Sequence, residues 1–149
     1  MSSSTIVVGV DGSESSVKAL HWAVGQAKLT GDRLAAVIGW EYPATGWAGM
    51  MPGQVIPVDF DAEKLARQIL DDTLDKQLDP ETAASVDRRV VDGPAAQVLL
   101  DNAEGASLLV VGDRGHSGVA AVLLGSVSAN VAQHAKCPVV VVRGETTED

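Results

Sequence analysis

The chain has 149 residues, 46% hydrophobic and 21% charged, the proportions of a globular domain long enough to bury a core. Its net charge of −9 argues against a general grip on nucleic acid or on an anionic membrane surface. No apolar stretch approaches the ~20 residues that span a bilayer. The start, MSSSTIVVGVDGS, has no basic region, and its apolar run is too short for a secretory signal. A cytoplasmic location is therefore expected. The single Cys137 cannot form an internal disulfide, which agrees with that compartment.

TIVVGV, residues 5–10, is rich in β-branched residues and reads as a buried strand. DGSES after it reads as a helix start, with Asp11 or Ser13 as the cap. Val17, Leu20, Val24 and Ala27 then recur every three or four residues, an amphipathic helix ending near Gly31. RLAAVIGW, residues 33–40, is a second buried strand. Residues 41–59 hold Pro43, Pro52 and Pro57 among Gly46, Gly49 and Gly53, and read as a long loop of the kind that forms lids or binding segments. Over residues 61–78, Leu65, Ile69, Leu74 and Leu78 share roughly one helical face, and Asp79-Pro80 ends that helix.

SVDRRVV, residues 85–91, is a third strand, polar enough to lie near an edge. GPAAQVLLDNAEG is a short helix with Pro94 in its first turn. SLLVVGD is a fourth strand, residues 119–135 form a last helix, and CPVVVVRG holds a fifth strand. Residues 144–149 are a polar tail. Strict alternation of five strands with four helices requires parallel pairing, right-handed crossovers and helices on both faces. The expectation is one doubly wound, Rossmann-like α/β domain over residues 1–149, with its core at 5–143.

After the fourth strand come four glycines, Gly112, Gly115, Gly118 and Gly125, with Ser126 and Ser128 directly behind the last. Between Gly105 and Gly144 three cations and one carboxylate give a net +2, so the rest of the chain carries −11. The glycines thus lie in the one part of the sequence that would not repel an anion. Glycines at a strand's carboxyl end let backbone amides approach a ligand, and a helix start leaves about four N–H groups unpaired. Glycine is also routine in strand-to-helix connections, so a phosphate cradle and a flexible join both fit the spacing. No Lys follows Gly125, so the P-loop pattern is absent, and the first strand end, GVDGSE, is not G-x-G-x-x-G. His21, His116 and His134 form no metal pattern with Cys137, which reads as a small packed residue.

The spacing Gly112-x2-Gly115-x9-Gly125-Ser126 resembles the nucleotide-binding signature of the universal stress protein family. IVVGVDGSESSVKALHWA at the start, VVDGPAAQVLL in the middle and HAKCPVVVV near the end resemble the same family, so the likeness runs over nearly the whole chain. It implies strand order 3-2-1-4-5, with Asp11 and Gly112 emerging together where the order reverses. It further implies an ATP site in which Asp11 accepts from ribose and adenine lies near Val37 and Trp40. Gly112, Arg114, Gly115, Gly125, Ser126, Val127 and Ser128 match the phosphate and ribose segment. Asp113 would set a carboxylate beside the triphosphate, at a cost in affinity unless it points away or shares a Mg²⁺.

The resemblance implies a nucleotide-dependent stress or regulatory protein with slow hydrolysis at most, because no residue in the motif offers an evident base or second cation. A true ATPase with Asp11 or Asp113 on Mg²⁺, a cyclic AMP binder, and a dimeric module independent of nucleotide are the alternatives. Strand five would be an edge, and PVVVV on an open edge is an aggregation hazard. A homodimer paired through Val139, Val140, Val141 and Val142 would cover it, and the family resembles that arrangement.

Overall fold

The computed structural model of the protein describes residues 4–41, 61–113 and 126–144. The elements run β1 (Thr5–Gly9), α1 (Glu14–Thr30), β2 (Arg33–Trp40), α2 (Ala62–Gln77), α3 (Pro80–Ser85) and β3 (Asp87–Asp92). They continue with α4 (Ala95–Asn102), β4 (Leu108–Gly112), α5 (Ser126–His134) and β5 (Val139–Val142). The expected loop at 41–59, apart from Glu41, lies outside the described residues. So do residues 119–125 of the expected last helix and the end of the tail.

All strand pairs are parallel and the sheet order is β3-β2-β1-β4-β5, as expected. Alternation along each strand divides the core in two. Ile6, Val8, Leu34, Ala36 and Ile38 face α1 and α2, meeting Leu20, Ala23, Leu70 and Leu74. Val7, Ala35, Val37, Leu109 and Val111 face α4 and α5, meeting Val98, Leu99 and Val131. With so few aromatics, these small branched side chains close both layers.

Two expectations fail between β2 and β3. The buried stripe of α2 is Ala62, Ala66, Leu70 and Leu74, while Leu65 stays 47% exposed. A spacing of four lets two alanines bring the helix close to the sheet, and large side chains alone do not reveal that face. Asp79-Pro80 does follow the end of α2, but it also starts α3, which delays the strand to Asp87. Asp79 caps the new helix by accepting from the Thr82 N–H, and Pro80 sits in its first turn, where its missing donor costs nothing. Thr82 also holds the Asp79 carboxyl below its usual range through its hydroxyl and its backbone N–H.

β3 is an edge strand, as its polarity suggests. Arg88 reaches from it to Asp71 at 2.8 Å and Asp75 at 3.0 Å on α2, and also donates to the Ala83 carbonyl. Burial alone would lower the Arg88 pKa, but the two carboxylates outweigh it and raise it.

The first turn of α1 sits hard against the ends of β4 and β5. A Cβ on Gly112 would stand 2.7 Å from the backbone carbon of Ser15, and one on Gly144 would stand 2.9 Å from its Cα. No rotamer change relieves a contact with backbone, so α1 must lift if either glycine gains a side chain. Gly112→Ala should therefore cost about 1–3 kcal/mol by overpacking. Urea unfolding should show a lower midpoint at unchanged slope, and an unchanged midpoint would refute this account of the helix seat.

Candidate functional site

Where the order of an open parallel sheet reverses, the connections from two neighbouring strands leave to opposite faces and open a crevice. Here the reversal lies between β1 and β4, and a crevice opens beyond their carboxyl ends. Asp11, Val37, Gly112, Val127 and Ser128, all expected site residues, line it. Gly9, Val10, Ser16, Ala95, Leu99 and Val111 complete the lining and were not anticipated. Gly9 carried a signal: a Cβ there would meet Leu99 Cδ1 at 3.0 Å, so α4 approaches β1 where the strand ends.

Asp11 and the start of α1 form one hydrogen-bonded unit. Ser13 is the N-cap and accepts from the Ser16 N–H, and the Ser16 hydroxyl donates to the Ser13 carbonyl. Asp11 Oδ1 accepts from the Ser13 N–H at 2.8 Å, and Gly12 turns the chain at φ +84°. Both cap candidates thus stabilise the same turn. Among the described residues, Oδ2 of Asp11 has no hydrogen-bond partner, so this half-buried carboxylate keeps acceptor capacity at the crevice.

At the other wall Ser126 opens α5 and is exposed, Val127 is half-buried, and Ser128 is buried. The Ser128 hydroxyl donates to the Asp113 carbonyl at 3.2 Å. Asp113 is 7% exposed, and its Oδ1 accepts from the Gly144 N–H at 3.0 Å. That carboxylate is directed at the end of β5 and does not line the crevice. Trp40 does not line it either. It packs on the α1–α2 side, and its carbonyl accepts from the Gly93 N–H. Arg114, Gly115 and Gly125 lie outside the described residues.

The described lining encloses about 60 Å³. A larger cavity of about 660 Å³ opens at the opposite end of the sheet, where β1, β2 and β3 begin. Its Asp87 is paired with Arg89, and its Asp32 accepts from Ser107. The crevice is the better candidate despite its size, because strand ends, a helix start and an available carboxylate converge only there among the described residues. Elsewhere, His21 contacts Gln77 and His134 contacts Asn130. Burial pushes the Cys137 thiol up, which suits a packed residue. Among the described residues no three His, Cys, Asp or Glu side chains group as metal ligands, and no helix is long and apolar enough to cross a membrane.

Comparison with known proteins bears on this geometry. Residues 3–143 match the model of the universal stress protein family. The universal stress protein YxiE of Bacillus subtilis is 34% identical over 93% of this chain and 97% of its own length. Rv2623 of Mycobacterium tuberculosis, also a universal stress protein, is 34% identical over 95% of this chain but only 46% of its own length. The chain thus spans about half of that relative. Among solved structures, a universal stress protein in complex with cAMP is 30% identical with a TM-score of 0.65, covering 97% of this chain and all of that one. The protein UspA of Lactobacillus plantarum, 21% identical over 96% of this chain and 99% of its own, shares the fold with a TM-score of 0.69. By a family match over nearly all of its length and by its relatives, the chain belongs to the universal stress protein family.

Proposed function

We propose that the crevice between β1 and β4 holds an adenine nucleotide, ATP in the first instance, and that the protein acts by holding it. The observation that carries this reading is the convergence of Asp11, Val37, Gly112, Val127 and Ser128 on one crevice, although they come from four separate stretches of chain. The glycine spacing through Gly115 and Gly125 supports it, as does the relative found with cAMP. Asp11 then accepts from ribose, while the α5 start with Ser126, together with Arg114, meets the phosphates. Cyclic AMP is the second reading, favoured by that relative.

Of the two carboxylates considered for Mg²⁺, Asp113 accepts from the Gly144 N–H through Oδ1 and Asp11 is assigned to ribose. Phosphate oxygens and water can complete the octahedron of a nucleotide-borne Mg²⁺, so in this reading the metal would ride on the phosphates without a carboxylate of the described walls. The metal would neutralise phosphate charge. Turnover should be slow, because the carboxylate on the described walls, Asp11, is taken up by ribose in this reading.

Three variants test the cradle. Gly125→Val should bind no measurable ATP, and Ser126→Ala should lose about tenfold, ~1.4 kcal/mol. Asp11→Ala should weaken ATP about tenfold yet barely change binding of inorganic triphosphate. It should also lower stability by ~1 kcal/mol through the lost turn. Calorimetric titration beside melting curves reads all three; variants that bind as the parent does would leave only a flexible join. Mass analysis of nucleotide released from freshly purified protein names the ligand.

We also infer a homodimer paired through β5. The Pro138 and Val142 carbonyls face β4, so the alternate residues Val139 and Val141 direct their backbone groups to the open edge. All four valines remain only half-buried. Val141→Pro removes an edge N–H without touching the β4 ladder, so sedimentation should find it monomeric at micromolar concentration and still folded. A dimeric Val141→Pro would move the interface elsewhere.

A further inference from the structure

Asp113 is the buried carboxylate that the nucleotide reading leaves without a task. Its surroundings give it one. Its N–H donates to the Val142 carbonyl at 2.9 Å, the last rung between β4 and β5. Its carboxylate accepts from the Gly144 N–H at 3.0 Å, holding the chain that leaves β5. Its carbonyl accepts from the hydroxyl of Ser128, which lines the crevice. Among the described residues, these three bonds on one residue join a crevice wall to the edge strand.

We propose that Asp113 is a positioning residue that links the two events at its ends, so that nucleotide in the crevice and pairing of β5 edges favour one another. This rests on the nucleotide and dimer readings above. A ligand against Val127 and Ser128 restrains α5's first turn, and with it the Asp113 carbonyl. Edge pairing restrains Val139–Val142, and with them the Asp113 N–H and the Gly144 N–H. Whichever event comes first orders the shared residue, and the second then loses less conformational freedom. Thermodynamic linkage makes the effect reciprocal.

The test measures the dimer dissociation constant by sedimentation of a dilution series, with and without saturating ATP, and the ATP dissociation constant by calorimetry. For the parent chain, ATP should tighten the dimer about tenfold, within the ordinary range of coupling between sites. ATP should also slow hydrogen exchange at the Gly144 amide. Asp113→Asn keeps an oxygen for the Gly144 N–H and should retain the linkage. Asp113→Ala keeps the two backbone bonds and loses the one to Gly144, so it should still bind ATP and still dimerise, each more weakly, with a reduced mutual effect. If Asp113→Ala does not fold, Ser128→Ala, which cuts the bond between crevice and carbonyl, must show the same reduction.

A parent chain that binds ATP and dimerises with no mutual effect overturns the linkage alone, as does a linkage intact in both Asp113→Ala and Ser128→Ala. A parent chain that binds no nucleotide, or stays monomeric, overturns the reading beneath it and the linkage with it.

Discussion

The approach of α1 to the sheet at Ser15 is the contact on which the described site depends. Two glycines far apart in sequence, Gly112 and Gly144, give up their side chains to the same residue. Removing that contact would lift α1's first turn, and with it Ser13, Ser16 and the turn that carries Asp11. The crevice is narrow there because the backbone is close, and the backbone is close because no side chain projects from Gly112 or Gly144. Packing and site geometry are one requirement at this point. A Gly112 read from sequence as room for a ligand is, in the fold, first of all room for a helix.

That double use explains what the sequence made legible and what it hid. The strands were legible because their signal is local: β-branched runs bounded by turn residues, as in RLAAVIGW, which is β2 without a shifted boundary. The sheet order came from the family likeness, since alternation alone leaves several parallel orders open. The buried face of α2 was hidden because alanine, not leucine, sets how near a helix can lie to a sheet of valines and alanines. The short helix α3 was hidden because Asp79-Pro80 carries two meanings, a stop for one helix and a cap with a first-turn proline for the next.

At the crevice, lining residues placed by the backbone were the readable ones. Asp11, Gly112, Val127 and Ser128 each stand beside a glycine, a strand end or a helix start, and such positions mark themselves in sequence. Leu99, Ala95 and Val111 line the same space by packing, and nothing separates them in sequence from other core residues. Trp40 is an expected site residue that the described lining does not include. It ends β2 as expected, but strand alternation sends its side chain to the α1–α2 layer, and Gly93 takes its carbonyl.

The direction of Asp113 follows from burial more than from charge. An unpaired carboxylate in a low-dielectric site is costly, and a backbone N–H is the partner that a tight chain crossing supplies most readily. The Gly144 N–H is such a donor. It can reach the carboxylate because Gly144, bare of a side chain, lies against Ser15 as Gly112 does. The same glycine contact that draws α1 in also brings the end of β5 within 3.0 Å of the carboxylate. One oxygen of the acidic residue that follows β4 is therefore engaged at the end of β5, away from the lining of the site proposed to hold phosphates. The residue that holds the end of β5 through that oxygen also bonds the crevice wall through its carbonyl.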